Sequence, residues 1–343
     1  MTQTLYLLGD INFKGVDAGT PALQAIAPTI RDANLVFANL ECCLYAPDES
    51  ESERRGFYAD PAHAGTLRAA GIQAVGLANN VNVGRAAVAS ALGVLHAEGI
   101  ATVGAGLDAA AASAPLVLER DGVRYGILQR TAVYWPDGHV ATERHPGVAV
   151  IDGFTAYRPR LDSQAARTRP GVPPEVLTWA CPRSLSDYRR DVAALRAESD
   201  VVIASLHWGY RREVLDYQRE YAHAAIDSGA DVVFGHGPHM ILPVESYRGK
   251  PVFYGAGNFS FKQAHGDDMH HEWVGSMLRI TVEEARIASI EIEFVTRDAA
   301  NRTIVLPLTA PAAATHAHDL INDSAALGAH WREHDGRLSL LLD

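Results

Sequence analysis

Cysteine is scarce in this chain: three in 343 residues, at Cys42, Cys43 and Cys181. An odd, sparse count excludes a disulfide framework, and the adjacent pair Cys42-Cys43 could bridge only under strain. Reduced thiols fit a reducing compartment, which points to the cytoplasm. Long apolar runs are also missing. No stretch reaches the roughly 18 residues of a membrane-spanning helix. The opening Met-Thr-Gln-Thr-Leu-Tyr-Leu-Leu-Gly-Asp has neither the basic flank nor the apolar length of a secretory signal. Basic charge is in deficit, with 30 Lys and Arg against 41 Asp and Glu and a formal charge of −11. That balance argues against non-specific nucleic-acid binding. It leaves room for a local cationic pocket, which a pair of bound divalent cations would create.

What is present describes a globular chain. Hydrophobic residues make up 48% and charged residues 21%, enough for a sizeable core. The length suits one large domain, or one domain with an inserted lobe. Short apolar runs predict strands at Leu5–Leu8, Leu35–Leu40, Ala74–Leu77, Ala101–Val103, Val123–Leu128, Val201–Leu206, Val232–Gly235, Val252–Tyr254, Gly275–Thr281 and Ile287–Val295. Helical patterns fall between many of them, at Ala22–Arg31, Pro61–Ala70, Arg85–Glu98, Ser186–Glu198 with Ser184 as a cap, and Tyr217–Ser228. The alternation predicts an α/β sheet system. Residues 135–183 carry seven prolines and read as a loop-rich lobe that could face substrate. The stretch Ala310–Asp343 is weakly patterned.

In open α/β sheets, function sits beyond the carboxyl ends of strands. Polar residues that directly follow an apolar strand here are Asp10, Glu41, Asn79-Asn80, His207, and His236 with His239. Taken singly, each fits a turn, cap or structural role. Together, carboxylates and imidazoles are the donor set of a divalent ion. Six candidates exceed one ordinary site and suit two ions that share a carboxylate.

The segments Leu8-Gly9-Asp10, Ala38-Asn39-Leu40-Glu41, Leu77-Ala78-Asn79-Asn80, Ser205-Leu206-His207-Trp208-Gly209, Gly235-His236-Gly237-Pro238-His239 and Tyr254-Gly255-Ala256-Gly257-Asn258-Phe259 resemble the CapA-like, poly-γ-glutamate capsule-synthesis family. That family is related to the calcineurin-like metallophosphoesterases. The resemblance implies an α/β fold, a sandwich of two mixed β-sheets flanked by helices, with a two-metal site of Mn, Fe or Zn at the strand ends. It assigns Asp10 to the first metal, Glu41 to a bridge, and Asn80 and His236 to the second metal, with His207 and His239 completing the shell. Asn12 is a weak ligand candidate. It also implies hydrolysis of a phosphoester or amide in a small acidic or peptide-like substrate, or a polyglutamate biosynthetic role that need not be hydrolytic.

One position departs from the family pattern. The expected Asn-Asn-His reads Asn79-Asn80-Val81, so the usual general acid is replaced by a group that carries no proton. Asn82, Arg85, His145 and Tyr210 are candidate stand-ins. Arg211 and Asn258 are placed on the substrate side, Asn258 with Phe259 as a loop that supports the site. His265, Asp267, Asp268, His270, His271 and Glu272 form a second polar cluster, read as a solvated loop. Tyr134, Trp135, Tyr157 and Trp179 either line a pocket or pack the lobe. Cys42 and Cys43 read as small buried residues.

Overall fold

A computed structural model describes residues 2–47, 55–160, 164–264 and 273–342. Its frame is two β-sheets laid face to face. The first runs Trp331–His334, Arg337–Leu340, Arg286–Arg297, Gly275–Glu283, Thr2–Ile11, Leu35–Leu40, Ala74–Gly76, Ala101–Val103. It is mixed: Thr2–Ile11 lies parallel to Leu35–Leu40 and antiparallel to Gly275–Glu283. The second runs Val244–Tyr247, Lys250–Phe253, Val232–His236, Val201–His207, Val123–Thr131, Leu116–Arg120. Its four central strands are parallel and its two outer strands antiparallel.

Strands buried on both faces carry nearly unbroken apolar runs, and Leu5 to Leu8 shows why. Leu5 and Leu7 join Phe37 from their own sheet and Ile127, Ile203 and Phe234 from the other in the core between the sheets. Tyr6 and Leu8 face outward, into a core with Leu67, Val88 and Leu95 of the His63–Ala69 and Arg85–Ala97 helices. On the opposite outer face, Val202, Leu206 and Val233 meet Val192, Leu195 and Tyr221 of the Pro182–Glu198 and Asp216–Asp227 helices. The layers are helix, sheet, sheet, helix. Among the described residues no helix is long and apolar enough to cross a membrane.

Several expectations need correction. The helix expected over Ala22–Arg31 is confined to Ala27–Ile30. Pro28 lacks the N–H a helix interior needs, and its ring would meet the carbonyl four residues earlier. Ser184 is not a cap. The helix starts at Pro182, and the Ser184 hydroxyl accepts the Asp152 N–H. The weakly patterned tail holds a helix, Pro311–Ala325, and two strands. Its buried stripe is Ala313, Ala317, Leu320 and Ser324, too short in side chain to show as a hydrophobic period. Within 135–183, strands Gly153–Arg158 and Glu175–Ala180 pair antiparallel. Trp179 leans on Phe154 there, so that Trp179 and the exposed Tyr157 belong to this lobe. The cluster from His265 to Glu272 lies outside the described residues.

Within the first sheet the backbone is tightly packed where Asn258 passes Gly275. A Cβ built on Gly275 would lie 1.6 Å from the Asn258 carbonyl oxygen. Overpacking of this kind costs about 1–3 kcal/mol. Gly275→Ala should therefore lower the urea midpoint by that equivalent, and an unchanged midpoint would show that the two backbones are not in contact.

Candidate metal centre

The carboxyl ends of the central strands of both sheets meet at one seam. Asp10 ends Thr2–Ile11, Glu41 follows Leu35–Leu40, and Asn80 follows Ala74–Gly76. His207 and His236 end adjacent parallel strands and are register partners. His239 follows on a loop that needs unusual backbone. Gly237 has φ 110° and His239 φ 57°. A Cβ on Gly237 would sit 2.8 Å from the Trp208 carbonyl and 3.2 Å from the His207 ring. Only glycine passes there, and the left-handed turn swings His239 back over Asp10 and Glu41.

Asp10 is completely buried and Glu41 is 1% exposed. Their ion-pair partners among the described residues are histidines. His236 Nδ1 lies 3.0 Å from Asp10 Oδ1, and His239 Nδ1 3.3 Å from Asp10 Oδ2. His207 Nε2 and His239 Nε2 both lie 3.6 Å from Glu41 Oε1. Donor atoms of Asp10, Glu41 and His239 fall within 4.8 Å of one another. Four buried polar atoms at this seam have no hydrogen-bond partner among the described residues: Glu41 Oε2, Asn80 Oδ1, His207 Nε2 and His236 Nε2. Buried carboxylates that lack a strong cation are costly, and orphaned donors in native folds call for an explanation.

The hydrogen bonds decide which atom each histidine presents. Thr131 Oγ1 donates its single proton to the Val133 carbonyl at 2.8 Å. It lies 3.2 Å from His207 Nδ1, so it can only accept from that nitrogen. With the Nδ1 proton so placed, His207 presents its Nε2 to Glu41, as a lone pair in the neutral tautomer. A lone pair facing a carboxylate repels it unless a cation stands between. His239 Nδ1 is likewise engaged by Asn258 Oδ1 at 3.0 Å, leaving Nε2 toward Glu41. Outer partners that fix the tautomer of a ligating imidazole are the usual support of a metal site. The donor set and its orphaned atoms fit divalent ions.

Electrostatics agree. Burial would raise the Asp10 carboxyl, but the hydrogen bonds and charges of His236 and His239 hold it far below the ordinary range. Burial would lower His239, yet Glu41, Asp10 and Asn258 together raise it to about 9. Burial pushes the Cys42 thiol to about 12, which removes it as a nucleophile.

A buried amide relay runs beneath the site. Asn39 Nδ2 donates to Asp10 Oδ1 at 2.8 Å, and Gln129 Nε2 donates to Asn39 Oδ1 at 3.1 Å. Gln129 Oε1 accepts the Ala78 N–H at 2.7 Å. Gln129 stands on the second sheet and Asn39 on the first, so the relay ties the sheets together under Asp10. Another support is His139, whose Nε2 meets the Asn79 carbonyl and whose Nδ1 accepts the Trp135 N–H. Burial, against the Asn79 bond, lowers it to about 4, and both ring nitrogens are engaged by backbone. Trp135 Nε1 donates to the Asn80 carbonyl.

Sequence reasoning missed Asn39, Gln129, Thr131 and His139. Thr131 was findable, because it ends a strand that runs to 131 instead of 128. Asn12 is corrected: its amide donates to the Gln263 carbonyl and accepts the Lys14 N–H, so both ends serve the chain. Asn258 is fully buried and bonds His239, so it supports the site through that imidazole. Val81 is fully buried in the outer apolar core. Of the stand-in acids, Asn82 spends its amide on the Leu40 and Leu77 carbonyls, while Arg85 and His145 lie outside the cavity at the seam. That cavity, about 380 Å³, is lined by Tyr134, Trp135, Tyr210 and Pro238 above Asn80, His207 and His239. Arg211 is exposed, its guanidinium 5.0 Å from the Tyr210 ring.

The fold has a solved counterpart in a Mycoplasma pneumoniae phosphatase, with TM-score 0.50 and 12% identity over 86% of this chain and 94% of that one. The architecture is the calcineurin-like fold, a sandwich of two mixed β-sheets flanked by helices. The profile of the bacterial capsule synthesis protein PGA_cap family matches residues 4–263, and the chain belongs to that family. A Mycobacterium tuberculosis protein named as a probable polyglutamine synthesis accessory protein is 32% identical over 69% of this chain and 57% of its own length. Two Sinorhizobium fredii proteins are 25% identical over 73% of this chain, which spans 64% of theirs. The Bacillus subtilis PGA biosynthesis protein CapA is 50% identical over a 42-residue segment, 12% of this chain.

Loss of an outer partner typically lowers metal affinity about 10–100-fold. Thr131→Val, which frees His207 to flip its tautomer, should weaken Mn²⁺ or Zn²⁺ binding by that factor in calorimetric titration while the protein stays folded. Unchanged affinity would mean that Thr131 does not set His207.

Proposed function

We propose that this chain is a metal-dependent hydrolase that cleaves a phosphoester or amide bond in a small acidic or peptide-like substrate. Asp10, Glu41, Asn80, His207, His236 and His239 would hold two divalent ions, with Mn, Fe or Zn favoured by the mixed oxygen and nitrogen donors. The observation that carries this reading is the convergence of Glu41 Oε2, Asn80 Oδ1, His207 Nε2 and His236 Nε2, all buried and unpartnered among the described residues. Such ions, when bound, acidify water and polarise the bond to be broken. The chain's own groups do the rest. Asp10 is fixed by Asn39, Gly237 and His236. His207 is turned by Thr131, and His239 by Asn258. Tyr134, Trp135 and Tyr210 wall the cavity. Arg211 stands beside Tyr210 to meet an anionic group. Three unpaired thiols suit a reducing compartment such as the cytoplasm.

Proton delivery is the unusual feature. Val81 offers none. Tyr134 donates to Asp152, and burial together with that carboxylate pushes its phenol to about 12. Tyr210, largely exposed at the cavity wall, is the remaining stand-in. A polyglutamate biosynthetic role without hydrolysis is the second reading. The names of the relatives and the apolar Val81 favour it.

General acid help is worth about 10² to 10⁴ in rate. Without it, Mn²⁺-loaded protein should hydrolyse a p-nitrophenyl phosphoester, whose leaving group departs unaided, faster than an alkyl phosphoester by at least about 10². Equal rates on both would show that an acid is present after all. A metal-loaded protein inert toward phosphoesters and toward peptide and γ-glutamyl amides would overturn the hydrolase reading.

A further inference from the structure

Tyr134 separates two cavities. Its ring lines the metal-site cavity, and its hydroxyl donates to Asp152. Asp152 lines a second cavity of about 370 Å³, whose walls include Arg130, Arg183, Asp187, Tyr188 and Asp191. None of the residues placed at the metal centre lines it.

Three features show what this cavity would take. The first is the charge remaining after internal pairing. Arg130 is almost wholly buried and pairs with Asp191 at 3.0 Å. Arg190 pairs with Asp187 at 2.7 Å and Asp191 at 3.4 Å. Those four cancel. Arg183 has no ion-pair partner among the described residues, and Asp152 has only the Tyr134 phenol on its carboxylate. One cation and one anion are left over.

The second feature is the start of the Pro182–Glu198 helix. Cys181 gives no side-chain cap, and its carbonyl is reached first by the Leu185 N–H. The amides of Arg183 and Ser184, both cavity-lining residues, therefore have no partner among the described residues, and a helix start of this kind favours a carboxylate. The third feature is Tyr188. Its side chain lines the cavity and is 2% exposed, yet its hydroxyl has no hydrogen-bond partner among the described residues. A phenol so placed is a ready donor to an anionic oxygen.

Asp152 is held as firmly as a recognition group needs. Its N–H donates to Ser184 Oγ, and its carbonyl accepts from both Tyr221 Oη and the Cys181 N–H. Cation and anion therefore stand on a shared rigid wall, Asp152 tied to the first turn that carries Arg183.

We propose that this cavity binds a free α-amino acid, its carboxylate on Arg183, the Tyr188 hydroxyl and the first-turn amides, and its ammonium on Asp152. Volume and charge both fit. The space holds a small molecule, and a zwitterion neutralises both leftover charges where a simple anion or cation would satisfy one and repel the other.

The test is calorimetric titration of the full chain with the proteinogenic α-amino acids, with acetate and methylammonium as half-ligands. At least one amino acid should saturate, and both half-ligands should bind at least about tenfold more weakly. Arg183→Ala and Asp152→Asn should each weaken binding about tenfold or more. Tyr188→Phe removes a hydroxyl that bonds nothing in the chain. It should weaken binding about 3- to 10-fold without lowering the thermal midpoint of the ligand-free protein. No binding by any amino acid up to about 10 mM would overturn the proposal. So would acetate binding as tightly as the amino acid, which would mark a plain anion site. Affinity that survives both Arg183→Ala and Tyr188→Phe would place the ligand elsewhere and overturn it too.

Discussion

Two carboxylates, Asp10 and Glu41, are buried at the seam of two sheets with no lysine or arginine beside them among the described residues. That is an electrostatic problem, and much of the surrounding structure answers it. Buried ionised groups persist only when paired, hydrogen-bonded or bound to a cation. Asn39 and Gly237 supply neutral hydrogen bonds to Asp10. His207, His236 and His239 supply nitrogens, and in the metal-free protein a proton on His239 carries part of the load. Thr131 and Asn258 then orient two of those imidazoles so that their Nε2 atoms face Glu41. Divalent ions are the group for which this arrangement is complementary.

The sandwich is the means by which donors from both sheets reach one place. Asp10 and Glu41 come from the first sheet and His207 and His236 from the second, and the Gln129–Asn39 hydrogen bond joins the sheets under Asp10. The seam is therefore fixed from below by a polar link between two apolar cores. Above it the cavity wall is aromatic. Val81, at the position where the motif resemblance implies an acid, is absorbed into the outer core.

Much of this was legible in the sequence because strands buried on both faces give apolar runs with abrupt ends. Asp10, Glu41, His207 and His236 stand at those ends, so position alone singled them out. The sandwich itself came from the resemblance of the motifs; periodicity gave only the alternation of strands and helices. What was hidden depends on register and close packing. Asn39 and Gln129 look like ordinary polar residues until two sheets are superposed. Asn12 and Asn258 sit among the site motifs, yet their amides turn toward backbone and His239. The tail helix buries two alanines and a serine with only one leucine, which leaves little period to read, and Pro28 stopped a helix that the apolar pattern alone would have extended.

The most direct test of the account is metal content. Elemental analysis of purified protein supplied with Mn²⁺ or Zn²⁺ should give about two ions per chain, the number a shared-carboxylate site holds. In His236→Ala, which removes one orphaned donor and the Asp10 partner together, the content should fall to about one or none. Wild-type protein that holds no metal under these conditions would contradict the account, and the buried carboxylates would then have to be stabilised by protons on their histidines alone.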